Sequence, residues 1–407
     1  MRILFLTDNF PPEVNAPANR TFEHCKEWVK EGVKVTVITC VPNFPKGVVY
    51  QGYKNKLYQK EEIEGIQVIR VWSYITANEG FFKRTMDYIS YAFMAFWMGL
   101  FIKTDLIIAT SPQFFTAIAG GCLAFIKRKS WVMEVRDLWP ESIVAVGAMQ
   151  RNRAIRMLER IERKLYKSAD LIVVVTDAFK KNIIAKGIQE SKIHVHKNGA
   201  NLDLFKPREK DEKLLDELKL RDKQIFAYIG THGMAHGLDF ILHSIRELQT
   251  TYPNFHFLFI GDGAERDNLI ALNANLSLTN TTFLPSCPKH KVVRYLSLMD
   301  VALVNLRKSD TFLTVIPSKI FEAAAMQKPI LLGLEGETKG IIESYSAGLC
   351  FEPENKNDFI KQAIAILDNK YYNQFQKGCQ TLAEDFDRKK IALSMLSSLK
   401  EVNKQNN

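Results

Sequence analysis

None of the six cysteines (Cys25, Cys40, Cys122, Cys287, Cys350 and Cys379) forms a CxxC pair or falls at metal-ligand spacing. That argues against a zinc module and for free thiols in a reducing compartment. A membrane-spanning run is also missing. The most apolar stretch, Phe81 to Lys103, is uncharged only from Tyr88 to Ile102, short of the roughly 17 to 25 residues that cross a bilayer. The opening "MRILFLTDNFPPE" has an apolar run only from Ile3 to Leu6, which reads as a strand and not a secretory core. A cytoplasmic location is the expectation. There is no GK[ST] loop, no acidic DxD pair at a strand end to hold a metal, and no internal repeat. RNA-recognition signatures, zinc-finger spacing and Arg-Gly tracts are absent too, so nucleic acid is not an expected partner.

What remains is ordinary for a soluble chain with a sizeable core: 46% hydrophobic and 25% charged residues. A length of 407 residues exceeds what one core serves and suggests two domains. The formal net charge of +10 points to an anionic partner, whether a phosphorylated small molecule or an anionic lipid surface.

Short β-branched runs alternate with helical stretches: "RILFLT", "VKVTVIT", "IQVIRVW", "DLIIAT", "SWVMEVR" and "DLIVVV" in the first half. That pattern predicts a parallel sheet covered on both faces. A second series runs through "QIFAYIG", "FHFLFIG", "TTFLP", "DVALVNL", "PILLG" and "GLCFEP". Between them, "IHVHKNGANLDLFKP" carries an Asn-Gly turn and a proline. The expected class is α/β, two doubly wound Rossmann-like domains facing across a cleft. The boundaries read as 1–204, 205–375, and a terminal segment 376–407 whose amphipathic helix returns towards the first domain or caps the second. Ligands of such folds bind at the carboxyl ends of the strands.

Three glycine turns follow strands in the second half, in "YIGTHGMAHGLD", "FIGDGAERDNL" and "LLGLEGETKG". A strand, a glycine turn and a helix start make an anion site or merely a tight connection. Gly230, Thr231, His232 and His236 in the first, and Gly261 and Gly263 in the second, are candidate phosphate contacts. "VIPSKIFEAAAMQKPI" sets Ser318 and Lys319 at a helix start. A lysine there opposes the helix dipole unless an anion arrives. Glu322 follows one turn later on the same face, and its two oxygens match the vicinal hydroxyls of a ribose.

In the first half, "TDNFPPEVNAPANRTFEH" reads as a long polar loop, from which Asn15 and Arg20 can reach a substrate. "VMEVRDLWPES" sets Arg136, Asp137 and Glu141 beyond a strand, with Asp137 a base or a structural partner of Arg136. Phe81, Phe82, Lys83 and Arg84 join aromatics to cations, as on a helix resting on anionic headgroups or at the solvated tip of a core helix.

Together these stretches resemble glycosyltransferase family 4, enzymes of the GT-B fold. "PPEVNAPANR" resembles that family's opening loop, "NGANLDLFKP" its linker, "YIGTHGMAHGLD" its donor phosphate loop and "PSKIFEAAAMQKPIL" its donor-binding helix. "VRDLWPES" and "PSKIFE" resemble the branch that builds bacterial O-antigen and capsule units, similar to fucosamine transferases. The resemblance implies a UDP-sugar donor, with Glu322 on the ribose, Lys319 on the diphosphate, and Ser286 and Cys287 near the uracil. It also implies a polyprenyl-diphosphate saccharide acceptor on the inner leaflet and retention of configuration; with Lys319 and the helix amides on the diphosphate and no DxD pair at a strand end, no metal or other cofactor is expected. Where the family has a first glutamate, eight residues before Glu322, this chain has Thr314. The catalytic set is therefore read as Asp137, Lys319 and Glu322. Two other readings are a UDP-sugar 2-epimerase of similar fold and a catalytically silent nucleotide-binding adaptor at the membrane.

Overall fold

A computed structural model describes residues 1–44, 46–76, 81–111, 114–145 and 152–405. The chain divides into two units, one of Met1–Lys197 with Lys389–Asn407, the other of Asn198–Arg388. The division falls after Lys197 and not after Leu204. Residues 376–388 stay with the second unit, and only the chain beyond Arg388 belongs to the first.

In the first unit an eight-stranded sheet runs in the order β3-β4-β2-β1-β5-β6-β7-β8. Its strands are β1 (Arg2–Leu6), β2 (Lys34–Cys40), β3 (Tyr58–Ile63), β4 (Ile66–Val71), β5 (Leu106–Ser111), β6 (Ser130–Val135), β7 (Leu171–Val174) and β8 (Ile193–Val195). Central strands such as β5 and β6 are buried at every residue, because helices cover both faces and leave no polar side. The outer strand β3 is the exception. It pairs antiparallel with β4 and alternates exposed with half-buried residues. The strand reading above lacks it, since "YQKEEI" carries none of the apolar continuity of its neighbours.

The first helix also begins earlier than expected. α1 spans Ala16–Lys30, with the Asn15 side chain accepting from the backbone N–H of Ala18 and a proline in the first turn. The polar loop therefore ends at Asn15, and Arg20 is a helical residue.

In the second unit six parallel strands run in the order β11-β10-β9-β12-β13-β14. They are β9 (Gln224–Ile229), β10 (Phe255–Ile260), β11 (Thr281–Leu284), β12 (Val301–Asn305), β13 (Ile330–Gly333) and β14 (Gly348–Cys350). Each unit has one place where the winding reverses, between β1 and β5 and between β9 and β12. There the loops leave in opposite directions and open a crevice.

Two apolar layers sandwich each sheet. In the second unit the helix Asn369–Asp385 sets Cys379, Leu382 and Ala383 into one of them. The last helix, Arg388–Gln405, sets Met395, Leu396, Leu399 and Val402 into the first unit's core beside Trp28. The Trp28 indole N–H donates to the Ala392 carbonyl at 2.8 Å. No helix among the described residues is long and apolar enough to cross a membrane.

Candidate functional site

The second unit gathers its polar groups where β9, β10 and β12 end. Gly230 follows β9, and a Cβ there would stand 2.7 Å from Lys319 Nζ. Gly261 follows β10, and its Cβ would meet the Gly230 carbonyl at 1.8 Å and His232 Nε2 at 3.1 Å. Only glycines let these backbones and Lys319 approach so closely. The loops are bonded together: Gly230 N–H donates to Ile260 O at 2.9 Å, His232 N–H to Asp262 O at 2.9 Å, and Glu265 N–H to His232 O at 2.9 Å.

Lys319 opens the helix Lys319–Ala325, and Ser318 before it makes no side-chain cap. The Lys319 amine lies 4.0 Å from the centre of the Tyr228 ring. It is buried and has no hydrogen-bond partner among the described residues. Burial lowers its pKa to about 7, opposed by the Glu322 charge. An ammonium held over an aromatic face without an acceptor retains capacity for an anion. Glu322 and Lys319 line one small cavity of about 20 Å³.

His232 is fully buried, and both of its ring nitrogens lack partners among the described residues, as does His236 Nδ1. Burial, helped by Arg266 and then Lys319, lowers His232 to about 4, and burial helped by Lys319 lowers His236 to about 4, so both are neutral near pH 7. They can therefore offer an N–H to an oxyanion but bring no charge. Thr231 is exposed, and its carbonyl, not its hydroxyl, is engaged, accepting from the Tyr228 hydroxyl at 2.7 Å. Gly263 packs its Cα on the His232 backbone, where a Cβ would stand 2.4 Å from the carbonyl oxygen.

Three contributors were absent from the sequence reading. Arg266 starts the helix after Gly263, and its Nε is buried without a partner among the described residues. Asn305, at the end of β12, donates to the His236 carbonyl at 2.8 Å. Arg307 donates to Met234 O and to Asp239, each at 2.8 Å, which pins the histidine loop. Arg266 was within reach of the motif, three residues past Gly263 in "GDGAERDNL". Ser286 is exposed and Cys287 half-buried just past β11, whose last residue Leu284 pairs with Ile260. Thr314 closes a short helical turn through its hydroxyl, 3.4 Å from Thr311 O.

In the first unit the structure redirects most of the expected contacts. Asn15 is a cap, and it also donates to Asn9 Oδ1 at 2.5 Å. Arg20 is buried and faces inward, donating to Glu134 at 2.9 Å, His196 O at 2.9 Å and Lys197 O at 3.1 Å. Burial would raise the Glu134 carboxyl, but Arg20 and Arg136 hold it below its ordinary value. Arg20 is thus a structural cation and not an open substrate contact. Glu141 is the exposed first residue of the short helix Glu141–Ala145, 3.2 Å from the Asn182 amide and 3.3 Å from Lys186 Nζ. Arg136 reaches Pro17 O at 3.4 Å. Asp137 is raised by burial, opposed by a hydrogen bond donated from Ser142 Oγ at 3.0 Å.

The more perturbed carboxylates are ones that reading passed over. Asp8 leaves the end of β1, and burial pushes it up to about 8, with Glu13 and Asp87 adding to the rise. Asp87, from the helix α2 (Phe81–Gly99), is pushed to about 7 by burial and by Glu13. Two carboxyls that act on each other at a strand end can hold or pass a proton near neutral pH. The sequence signal is faint, since Asp87 lies on an apolar helix far along the chain from Asp8. The tip of α2 has Phe82, Lys83 and Arg84 exposed. The Phe81 side chain lies outside the described residues.

Two family models match these halves in order. A glycosyl transferase 4-like domain matches residues 15–199, and glycosyl transferases group 1 matches residues 209–381. The fold, with its two Rossmann-like units, is that of the GT-B glycosyltransferases, and the chain belongs to the glycosyltransferases. Among its relatives, a colanic acid biosynthesis glycosyl transferase of Escherichia coli (strain K12), WcaI, is 23% identical over 90% of this chain and 93% of its own. The glycosyltransferase WbjE of Pseudomonas aeruginosa is 27% identical over 60% of this chain and 62% of its own. Among solved structures, sucrose-phosphate synthase from Thermosynechococcus elongatus matches with a TM-score of 0.79 at 16% identity, covering 98% of both chains. Anabaena HepE, solved with UDP-glucose, matches with a TM-score of 0.72 at 16% identity over 98% of this chain and 100% of its own.

Proposed function

We propose that this glycosyltransferase moves a sugar from a UDP-sugar, an N-acetylated deoxy-amino sugar among the candidates, to a polyprenyl-diphosphate-linked saccharide in bacterial O-antigen or capsule synthesis. The observation that carries the donor assignment is the buried Lys319 amine, without a hydrogen-bond partner among the described residues, above the Gly230 turn and one helical turn from Glu322. As the bond to the anomeric carbon breaks, negative charge grows on the departing diphosphate, and a cation aimed there stabilises the transition state more than the ground state. Lys319 takes that role, with neutral His232 and His236 donating to phosphate oxygens. Glu322 holds the ribose hydroxyls. In the first unit, Asp8 and Asp87 join Asp137 as candidates to receive the acceptor's proton. The exposed Phe82–Arg84 tip meets anionic headgroups at the cytoplasmic face, where the lipid-linked acceptor resides. Retention of configuration comes with the family likeness.

Incubation with a panel of UDP-sugars and a short-chain prenyl-diphosphate saccharide, followed by mass spectrometry, tests this reading. A saccharide heavier by one sugar, together with free UDP, is expected. Sugar isomerisation without acceptor, or UDP binding without turnover under every pairing, would reject it.

A further inference from the structure

The solvent side of α2 is as apolar as its core side. Tyr91, Ala92 and Ala95 are buried in the core. On the opposite face Phe82 is 77% exposed, Phe93 64% and Trp97 53%, with Met86 and Ile89 between them also exposed. These positions recur every third or fourth residue and so form one continuous stripe. The stripe continues past the helix to Phe101, 72% exposed, and onto the end of α3 (Phe114–Lys127), where Phe125 is 85% exposed and Ile126 is exposed too. Lys127 Nζ donates to Leu100 O at 2.8 Å, which holds that end of α3 against the chain after α2. Isolated exposed apolar residues need no explanation, but a contiguous row of this length does.

We infer that this whole face, from Phe82 to Phe101 with Phe125 and Ile126, is a docking surface for an anionic lipid monolayer, with α2 lying flat in the headgroup region. It extends the tip contact proposed above, but it stands on the exposed row and does not depend on which sugar is transferred. The charge pattern selects the occupant. Exposed Lys83 and Arg84 stand at one end, and exposed Lys103 and Arg128 at the other. A second copy laid along the stripe in either direction would bring cation to cation. A sheet of anionic headgroups satisfies both ends while its acyl boundary receives the aromatics. The only acidic residue of α2, Asp87, is half-buried and interacts with Glu13, away from the stripe.

The test is flotation of the full chain with phosphatidylcholine vesicles with and without phosphatidylglycerol, alongside calorimetric UDP binding. Binding that requires the anionic lipid and weakens with salt is expected, as is quenching by brominated acyl chains that disappears in Trp97→Phe. Phe93→Ser, Trp97→Ser and Phe125→Ser combined should cost at least tenfold in vesicle affinity and leave UDP affinity unchanged. If that triple variant does not fold, Lys83→Glu, Arg84→Glu and Arg128→Glu combined should abolish the preference for anionic lipid. Unchanged vesicle binding in a folded variant overturns the proposal. So does absence of vesicle binding together with a concentration-dependent dimer that the triple variant dissociates, which would make the face a contact between copies. Vesicle binding without glycosyl transfer would instead reject the donor and acceptor reading and leave the docking face standing.

Discussion

Lys319 is where a single residue exposes its purpose. In the free protein burial brings its pKa down to about 7, while a bound diphosphate favours the charged amine. Above pH 7 binding must therefore take up a proton, and UDP affinity should fall between pH 7 and 9, approaching about tenfold per unit. The last phosphate ionisation, near 6, lies below that window. Titration calorimetry in buffers of differing ionisation heat measures the proton directly. Lys319→Met should bind weakly and without pH dependence; a wild type flat over the same range would show that the amine does not meet the anion. Glu322→Gln should weaken UDP binding while sparing the pH slope. The lysine was legible because a cation at a helix start is a local misfit. Arg266, Asp8 and Asp87 were not, since each is ordinary in its own segment and becomes unusual only through burial.

Among elements, α1 shows how a local signal can be overlooked. Asn15 before a helical stretch with Pro17 inside the first turn is a cap pattern, yet the density of polar residues in "VNAPANR" suggested a loop. The consequence is chemical, because helicity turns Arg20 inward onto Glu134 of β6. Both partners are nearly fully buried, at 3% and 1% exposure. Removing one leaves the other uncompensated, so Arg20→Met should destabilise the protein by about 3–5 kcal/mol. Urea denaturation checks it, and a loss of activity at unchanged stability would instead place Arg20 at the substrate. The central strands were readable from unbroken apolar runs. β3 was not, because an outer antiparallel strand with one wet face looks like a charged loop.

For the whole molecule, buried carboxyls set the response to pH. Asp8 at about 8 and Asp87 at about 7 lie above the ordinary 3.8 in the folded state. Their contribution is present below pH 4 and is lost as pH rises through 7 to 8. Lys319 runs the other way: its folded value lies below 10.5, so stability is gained as pH rises from 7. His232 and His236, held at about 4 by burial, pull the other way up to pH 6.5, so the carboxyl contribution is read as a difference between variants. The melting temperature of the wild type relative to Asp8→Asn, which mimics the protonated acid, should fall by on the order of a few degrees from pH 5 to 8, as followed by scanning fluorimetry. Both sheets were expected from alternating strands and helices. The placement of the last nineteen residues was only half legible, because an amphipathic helix names its apolar face but not the core it fills.

That last helix also orders events in time. A ribosome delivers Trp28 early, but Met395, Leu396 and Leu399, which share its core, emerge only after every residue of the second unit has been made. The first unit therefore waits with an uncovered apolar face while its neighbour completes itself. A chain released after Arg388 would hold a finished second unit and an unfinished first, the reverse of the order in which they were begun.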